Sequence, residues 1–268
     1  MEPQRPVYFI SDLHLGTTYD ANSRQRERLV VEFLESIADK AAALYLVGDI
    51  LDYWYEYRTV VPRGYVRFFG ALAALADKGV KITWFIGNHD IWLFDYVRDE
   101  IGVEVVDGQL VTEIYGKRFL ITHGDGVGRL PRSFRFIRSV FRNKVCQKLY
   151  SAIHPRWTIP FAHKWSSHSR KNEKDLPAFD IASDSLALFA QEWQENHPDQ
   201  HIDYFIFGHR HTMVDAALPD GARLIILGDW LNFFSYGCFN SNGFSLKQFS
   251  GNFDRCSDKP WNLTLFHI

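Results

Sequence analysis

Short apolar runs recur along the chain and stop abruptly at small or charged residues. Val7–Ile10, Ala43–Val47 and Val80–Ile86 are almost continuously apolar, the pattern of strands covered on both faces. Between them, apolar residues return every three or four positions, which predicts helices over Ser23–Lys40 and Arg63–Lys78 and a shorter one from Trp92 to Glu100. Three strand-like runs follow, at Val103–Val106, Leu110–Ile114 and Arg118–Thr122. A helix over roughly Ala178–Asn196 precedes strands at Tyr204–Phe207, Met213–Ala217, Arg223–Leu227 and Gly243–Gln248. The alternation predicts an α/β fold with a β-rich second half, and no internal repeat or low-complexity tract interrupts it.

Composition narrows the class. A chain of 268 residues, 46% hydrophobic and 23% charged, can bury one large core, which excludes disorder and a secreted miniprotein. No apolar run approaches the ~18 residues of a membrane-spanning helix. The stretch from Met1 to Pro6 is polar and short, so no signal peptide is expected ahead of the first strand. Three widely spaced cysteines (Cys146, Cys238, Cys256) form neither a disulfide framework nor a thiolate zinc site, and the expected compartment is a reducing cytosol.

The net charge of −2 hides a sharp division. From Arg129 to Lys174 there are twelve Lys and Arg against one acid, Glu173, a net of +11 that leaves −13 on the rest. The same segment carries Phe134, Phe136, Phe141, Tyr150, Trp157, Phe161 and Trp165. Phe134, Ile137, Phe141, Val145 and Leu149 recur at helical spacing, with Arg135, Arg138 and Arg142 on an adjacent face, which predicts an amphipathic basic helix. A helix packed on the body and a surface built for an anionic partner both fit that pattern.

The polar residues that matter sit where strands stop. Ser11-Asp12-Leu13-His14 follows the first strand, Gly48-Asp49-Ile50-Leu51-Asp52 the second, and Gly87-Asn88-His89-Asp90 the third. His123-Gly124-Asp125 and Gly208-His209-Arg210-His211 end two later ones. Carboxyl ends of strands in open α/β sheets are where ligands bind. Asp, Asn and His gathered there make a mixed oxygen and nitrogen set suited to Mn²⁺, Fe or Zn²⁺.

This ordered set resembles the calcineurin-like metallophosphoesterases, whose pattern is D-x-H, G-D-x-x-D, G-N-H-[DE], H and G-H-x-H. The resemblance implies a four-layer αββα sandwich, a single domain over 1–268, and two divalent cations, Mn²⁺ foremost. It implies one cation held by Asp12, His14, Asp49 and His211, and a second by Asp49, Asn88, His123 and His209, with Asp49 shared. His89 is then expected to act on the reacting phosphate as a cation or general acid, with Asp52 orienting it; a turn or helix-capping role for Asp52 stays open.

A narrower resemblance is to the UDP-2,3-diacylglucosamine pyrophosphohydrolases of lipid A synthesis. It rests on Gly48-Asp49-x-x-Asp52-x-Trp54, on Tyr115-Gly116-Lys117-Arg118 before His123-Gly124-Asp125, and on Gly228-Asp229-Trp230. That group carries a helical lid between H-G-D and G-H-x-H, where 129–174 lies here. Its Ser, Lys and Asp near the lid's end match Ser167, Lys174 and Asp180, and implied substrate contacts are Asn88, His89, Ser167, Lys171 and Lys174. The chain departs from the group's better-known branch, which reads G-N-R-D where His89 stands and has Asn at Lys171. An acid expected just after His123-Gly124-Asp125 is also absent from Gly126–Pro131.

The implied reaction is hydrolysis of UDP-2,3-diacylglucosamine to UMP and the diacyl sugar 1-phosphate. The implied location is the cytoplasmic face of an inner membrane, bound peripherally through the basic lid, with no obligate protein partner. Two other readings remain at this point. One keeps the chemistry on a phosphomonoester, cyclic nucleotide or nucleic-acid end, although the apolar content of the basic segment disfavours nucleic acid. The other is a metal-binding scaffold that has lost catalysis, which the complete motif set disfavours.

Overall fold

The computed structural model describes residues 4–17, 22–128, 130–162 and 179–251. Four parallel strands form the heart of the first sheet: β1 (Val7–Ile10), β2 (Ala43–Leu46), β3 (Lys81–Phe85) and β4 (Glu104–Val106). They are linked by α1 (Ser23–Ile37), α2 (Val66–Asp77) and α3 (Tyr96–Ile101). The chain then enters a second sheet through the hairpin β5 (Leu110–Ile114) and β6 (Lys117–Thr122). Three short helices follow, α4 (Arg132–Arg142), α5 (Lys144–Ser151) and α6 (155–162). Beyond them come α7 (Ser185–Asn196), β7 (Tyr204–Phe207), β8 (Met213–Ala217) and β9 (Arg223–Leu227). The hairpin β10 (Ser235–Asn240) and β11 (Gly243–Gln248) returns to the first sheet beside β1. The strand orders are β11-β10-β1-β2-β3-β4 and β5-β6-β7-β9-β8.

Three apolar layers explain why the strands are apolar on both faces. Between the sheets Phe9, Val47, Phe85, Phe119, Ile206, Leu227 and Phe244 interlock, with Phe9 stacked on Phe119 at 5.9 Å. Tyr8 and Ile10 point the other way, into a layer with Phe33 and Leu34 of α1, Leu72 of α2 and Trp84. On the far side Leu186 and Ala190 of α7 cover Phe205, Phe207 and Ile226. Each such fully buried Leu, Ile or Phe contributes roughly 1.5–3 kcal/mol by leaving water. The result is helices, sheet, sheet, helix, the four-layer α/β arrangement.

Several boundaries differ from the sequence pattern, each for a local reason. α3 starts at Tyr96 rather than Trp92 because Glu56 Oε2 accepts from the amides of Phe94, Asp95 and Tyr96 (2.7, 2.7 and 3.1 Å), fixing the start of the helix. α7 starts at Ser185 because Asp184 caps it, accepting from the Leu186 amide at 2.9 Å. β10 escapes the apolar pattern because it is part polar and contains Gly237; a Cβ there would press into the Phe244 ring. The basic helix is broken in two at Asn143, whose extended backbone ends α4 while its Oδ1 accepts from the amides of Val145 and Cys146 (2.9 and 3.1 Å).

That break redirects the apolar stripe. Phe141 turns inward onto Trp92 (5.5 Å between centroids) and packs against the first core. Val145 and Leu149 turn outward, each 66% exposed. The cationic face is redirected as well: Arg138 Nε donates to Asp125 Oδ2 at 3.0 Å and Arg142 pairs with Asp107, so two of its three arginines bind the body of the protein. Among the described residues no helix is long and apolar enough to cross a membrane.

Candidate metal centre

The strands of the first sheet hand their pairing on past their ends. The amides of Asp12, His14 and Leu15 donate to the carbonyls of Gly48, Asp49 and Ile50 (3.1, 3.0 and 2.9 Å), stitching the D-x-H loop to the G-D loop. Asp12, His14, Asp49, His209 and His211 all have φ between +43° and +66°. Side-chain-bearing residues adopt that region at a cost of about 1–2 kcal/mol each, so the surrounding contacts must over-determine it. Glycines give the room. A Cβ on Gly87 would strike Asp49, and one on Gly208 would strike Ser11 and Asp12.

Asp49 lies at the centre. Its Oδ2 is 3.4 Å from His123 Nε2, 3.8 Å from His14 Nε2 and 4.0 Å from His89 Nε2. On one side Asp12 Oδ1 is 3.7 Å from His14 Nε2 and 3.5 Å from His211 Nε2. On the other, donor atoms of Asp49, His123 and His209 lie within 4.8 Å of one another, and Asn88 Oδ1 is 3.3 Å from His123 Nε2. The structure thus brings Asp12, His14 and His211 together as one set and Asp49, His123 and His209 as another, with Asn88 beside His123 and Asp49 3.8 Å from His14 between them. His14, Asp49 and His89 form a further mutually close trio.

Outer partners hold these side chains. Ser11 Oγ and the His209 amide donate to Asp12 Oδ2 (2.5 and 3.0 Å), and the His89 amide donates to Asp49 Oδ1 (2.8 Å). His123 Nδ1 lies 2.9 Å from the Val47 carbonyl. Asp52 Oδ1 stands 3.7 Å from His14 Nδ1 and 3.8 Å from His89 Nδ1, while its own carbonyl is nearer to His89 Nδ1 at 3.1 Å. Asp52 therefore faces two histidines rather than one. Two residues that the sequence showed only as members of motifs, without a role of their own, acquire one in the structure. Asp90 accepts from the Ile50 and Gly87 amides and Trp84 Nε1 (2.9, 2.8 and 3.0 Å), and Asp229 Oδ2 lies 3.1 Å from His211 Nδ1. Both end or closely follow a strand, as the ligands do, and that position is the signal that could have pointed to those roles. Ser167, Lys171 and Lys174 lie outside the described residues. Asp180 caps a turn, accepting from Ser183 Oγ at 2.6 Å and the Ala182 amide at 3.2 Å.

The electrostatics suit a cation. Burial works to raise the Asp49 carboxyl, but the imidazoles of His123 and His89 outweigh it and hold it well below the ordinary range. Burial works to lower His123, and Asp49 overrides that and raises it. His209 is lowered to about 4, by burial first and then by His123, so it is neutral and a lone-pair donor at pH 7. Burial is also the largest influence on Asp12 and raises it, and its Oδ1 is buried without a hydrogen-bond partner among the described residues. A buried carboxylate oxygen without a hydrogen bond among the described residues, 3.7 and 3.5 Å from two imidazole nitrogens, fits a divalent ion with oxygen and nitrogen ligands.

The calcineurin-like phosphoesterase family model matches residues 5–213. The chain is 42% identical over 255 residues to the UDP-2,3-diacylglucosamine hydrolase of Porphyromonas gingivalis, covering 90% of this chain and 97% of the relative. It is 29% identical over 235 residues to the protein of that name from Neisseria meningitidis, covering 85% and 91%. To the one from Histophilus somni it is 26% identical over 245 residues, covering 90% and 98%.

Proposed function

We propose a substrate and a mechanism from one premise: the chain belongs to the calcineurin-like phosphoesterases and is a metal-dependent phosphoesterase. The substrate is UDP-2,3-diacylglucosamine, cleaved at its pyrophosphate to UMP and 2,3-diacylglucosamine 1-phosphate. What carries the chemistry is Asp49 Oδ2, a buried carboxylate oxygen with imidazole nitrogens from three different strand-end loops within 4.0 Å. What carries the substrate is the similarity of nearly the whole chain to hydrolases of that lipid.

In this reading Asp12, His14, Asp49 and His211 would hold one divalent cation, and Asp49, Asn88, His123 and His209 a second, Mn²⁺ being the ion of choice. Such a pair, when bound, supplies positive charge to the phosphoryl oxygens and makes a water nucleophilic at neutral pH. The carboxylate of Asp49 would serve both sets and offset charge from both ions. His89 turns Nδ1 to the Asp52 carbonyl, which leaves Nε2 on the site side, 4.0 Å from Asp49 Oδ2. There it stabilises charge on the transferred phosphoryl group or protonates the departing oxygen. Asp52 orients His89 through its carbonyl and His14 through its carboxylate.

The segment 129–174 serves as the lid. Phe136, Val145, Leu149, Ile153, Trp157 and Phe161 are exposed apolar side chains in one stretch of sequence, with Arg135, Lys144, Lys148 and Arg156 exposed among them. That mixture suits an acylated phosphosugar and an anionic bilayer surface at the cytoplasmic face of an inner membrane. Ser167, Lys171 and Lys174 are assigned to the phosphates or the sugar. The test is purified protein with Mn²⁺ and a panel of UDP-diacyl sugar, nucleotides, phosphomonoesters and bis-p-nitrophenyl phosphate. UMP release from the lipid nucleotide should exceed turnover of every soluble substrate. Comparable turnover of a soluble nucleotide or monoester would overturn the assignment.

A further inference from the structure

Asp229 follows β9, is fully buried, and gives its two oxygens different work. Oδ1 accepts from the amides of Leu231, Asn232 and Phe233 (3.2, 2.7 and 3.1 Å), closing the turn that leads into β10. Oδ2 accepts from Asn232 Nδ2 at 2.9 Å and lies 3.1 Å from His211 Nδ1. The opposite ring nitrogen, His211 Nε2, faces Asp12 Oδ1 at 3.5 Å. A neutral imidazole carries one N–H, and a carboxylate fixed against Nδ1 draws it there, leaving the lone pair on Nε2. The His14 ring stacks on that of His211 at 5.1 Å, nearly parallel at 14°, which restrains its plane.

We propose that Asp229 is the positioning residue of the cation site made by Asp12, His14 and His211, holding His211 in the tautomer whose Nε2 lone pair faces the ion. The inference rests on the two-cation reading above and adds a residue to it. Asp229 acts through His211 and touches neither ion nor substrate.

Asp229→Asn separates the two tasks of the side chain. It keeps an oxygen for the three turn amides and replaces Oδ2 with an NH₂ that donates to Nδ1, driving the ring proton to Nε2. An inverted tautomer of this kind, produced by an Asp-to-Asn change in a serine-protease triad, lowers rate by about 10⁴. Mn²⁺ titrated calorimetrically into the metal-free full chain should show two sites in the wild type. In the variant one should weaken by about 10–100-fold and the other by less than about threefold. Histidine ¹⁵N spectra of the metal-free chain should show His211 as Nδ1–H in the wild type and Nε2–H in the variant. In a His211→Ala background the same substitution should change Mn²⁺ affinity by less than about twofold, because the effect has lost its route.

Unchanged affinity at both sites, or equal loss at both, overturns the inference. So does an Nε2–H His211 in the wild type, a measurement that needs no variant to fold. A wild-type chain that binds no Mn²⁺ overturns the two-cation reading instead.

Discussion

The strand-end loops and the helical segment 130–162 are built to opposite specifications. Asp12 accepts from its neighbour Ser11 and from the His209 amide of another loop, and Asp49 from the His89 amide of another, at 0% and 1% exposure. Their backbones sit in left-handed conformations that only such a grip sustains. The helices α4 to α6 have no fully buried apolar residue and meet the body along one side. That side is aromatic and tipped with hydroxyls. Trp92 stacks on Tyr150 at 4.9 Å, Tyr53 and Tyr150 share a hydrogen bond of 3.1 Å, Tyr55 donates to the Gln147 carbonyl at 2.6 Å, and Tyr57 meets Thr158 at 2.7 Å. The first region spends stability on fixed geometry, and the second leaves apolar surface in water. Both are expected where a reacting centre demands rigid placement and a greasy, charged ligand demands an open face.

The sharpest way to break the rigid side is Asp49→Ala. Both ligand sets lose their common oxygen, so turnover should vanish, at least ~10⁴-fold, and metal content measured by mass spectrometry should fall at both positions. A variant retaining two tightly bound ions would show that Asp49 is not shared. His89→Ala should be next in size. It should lower kcat by about 10²–10⁴ with metal content close to wild type, because the role assigned to His89 is on the phosphate. Asp52→Asn keeps the carbonyl that meets His89 and changes only the carboxylate facing His14, so it should give a smaller loss of kcat. Loss of an ion in His89→Ala would instead make His89 a ligand, an outcome that its closeness to His14 and Asp49 renders worth measuring.

The two regions also differed in how much of them could be read from sequence. Tyr204–Phe207 and Arg223–Leu227 have the same bounds in the structure as in the apolar pattern, since a doubly covered strand writes itself locally, and the half-exposed edge strands Met213–Ala217 and Gly243–Gln248 keep their bounds as well. The D-x-H and G-D-x-x-D loops were visible because each carries its polar residues right at a strand end. Asp229 stands at a strand end too, in Gly228-Asp229-Trp230, but its task was not legible, because its link to His211 spans 18 residues and is made only in space. In the helical segment the apolar period runs straight through Asn143, so nothing periodic announces the break. The pairing of Arg138 and Arg142 with Asp125 and Asp107 was equally hidden, since a count of charges cannot tell a spent cation from a free one.

Tyr150→Ala should sharpen the contrast with a local effect. It removes the stack on Trp92, the contact with Tyr55 at 4.9 Å and the hydrogen bond to Tyr53. Aromatic pairs are worth about 0.5–1.5 kcal/mol each beyond their buried area. Two such pairs correspond to a rise of more than about tenfold in hydrogen exchange for 144–162, with β1 to β3 unchanged and metal content intact. If exchange instead rose throughout the first sheet, the helices would be part of the body's cooperative unit and the division drawn above would fail.

The smallest effect on the fold should come from Trp157→Ser combined with Phe161→Ser. These side chains are 70% and 62% exposed, so each change should alter stability by no more than about 0.5 kcal/mol. Turnover of bis-p-nitrophenyl phosphate should stay within about twofold, since neither residue is given a part in the chemistry. Binding to anionic vesicles, followed by sedimentation, should weaken by about tenfold, because the two rings would otherwise leave water at the bilayer boundary. Arg135→Gln should weaken it too, but mostly at low salt, where an exposed cation is least screened. The two substitutions thus separate apolar from electrostatic attachment on one surface. Vesicle binding indifferent to both would mean that the open face meets something other than a membrane. Equal losses on the short diester and the acylated substrate would mean that the helices support the metal centre after all, and the two regions would be one.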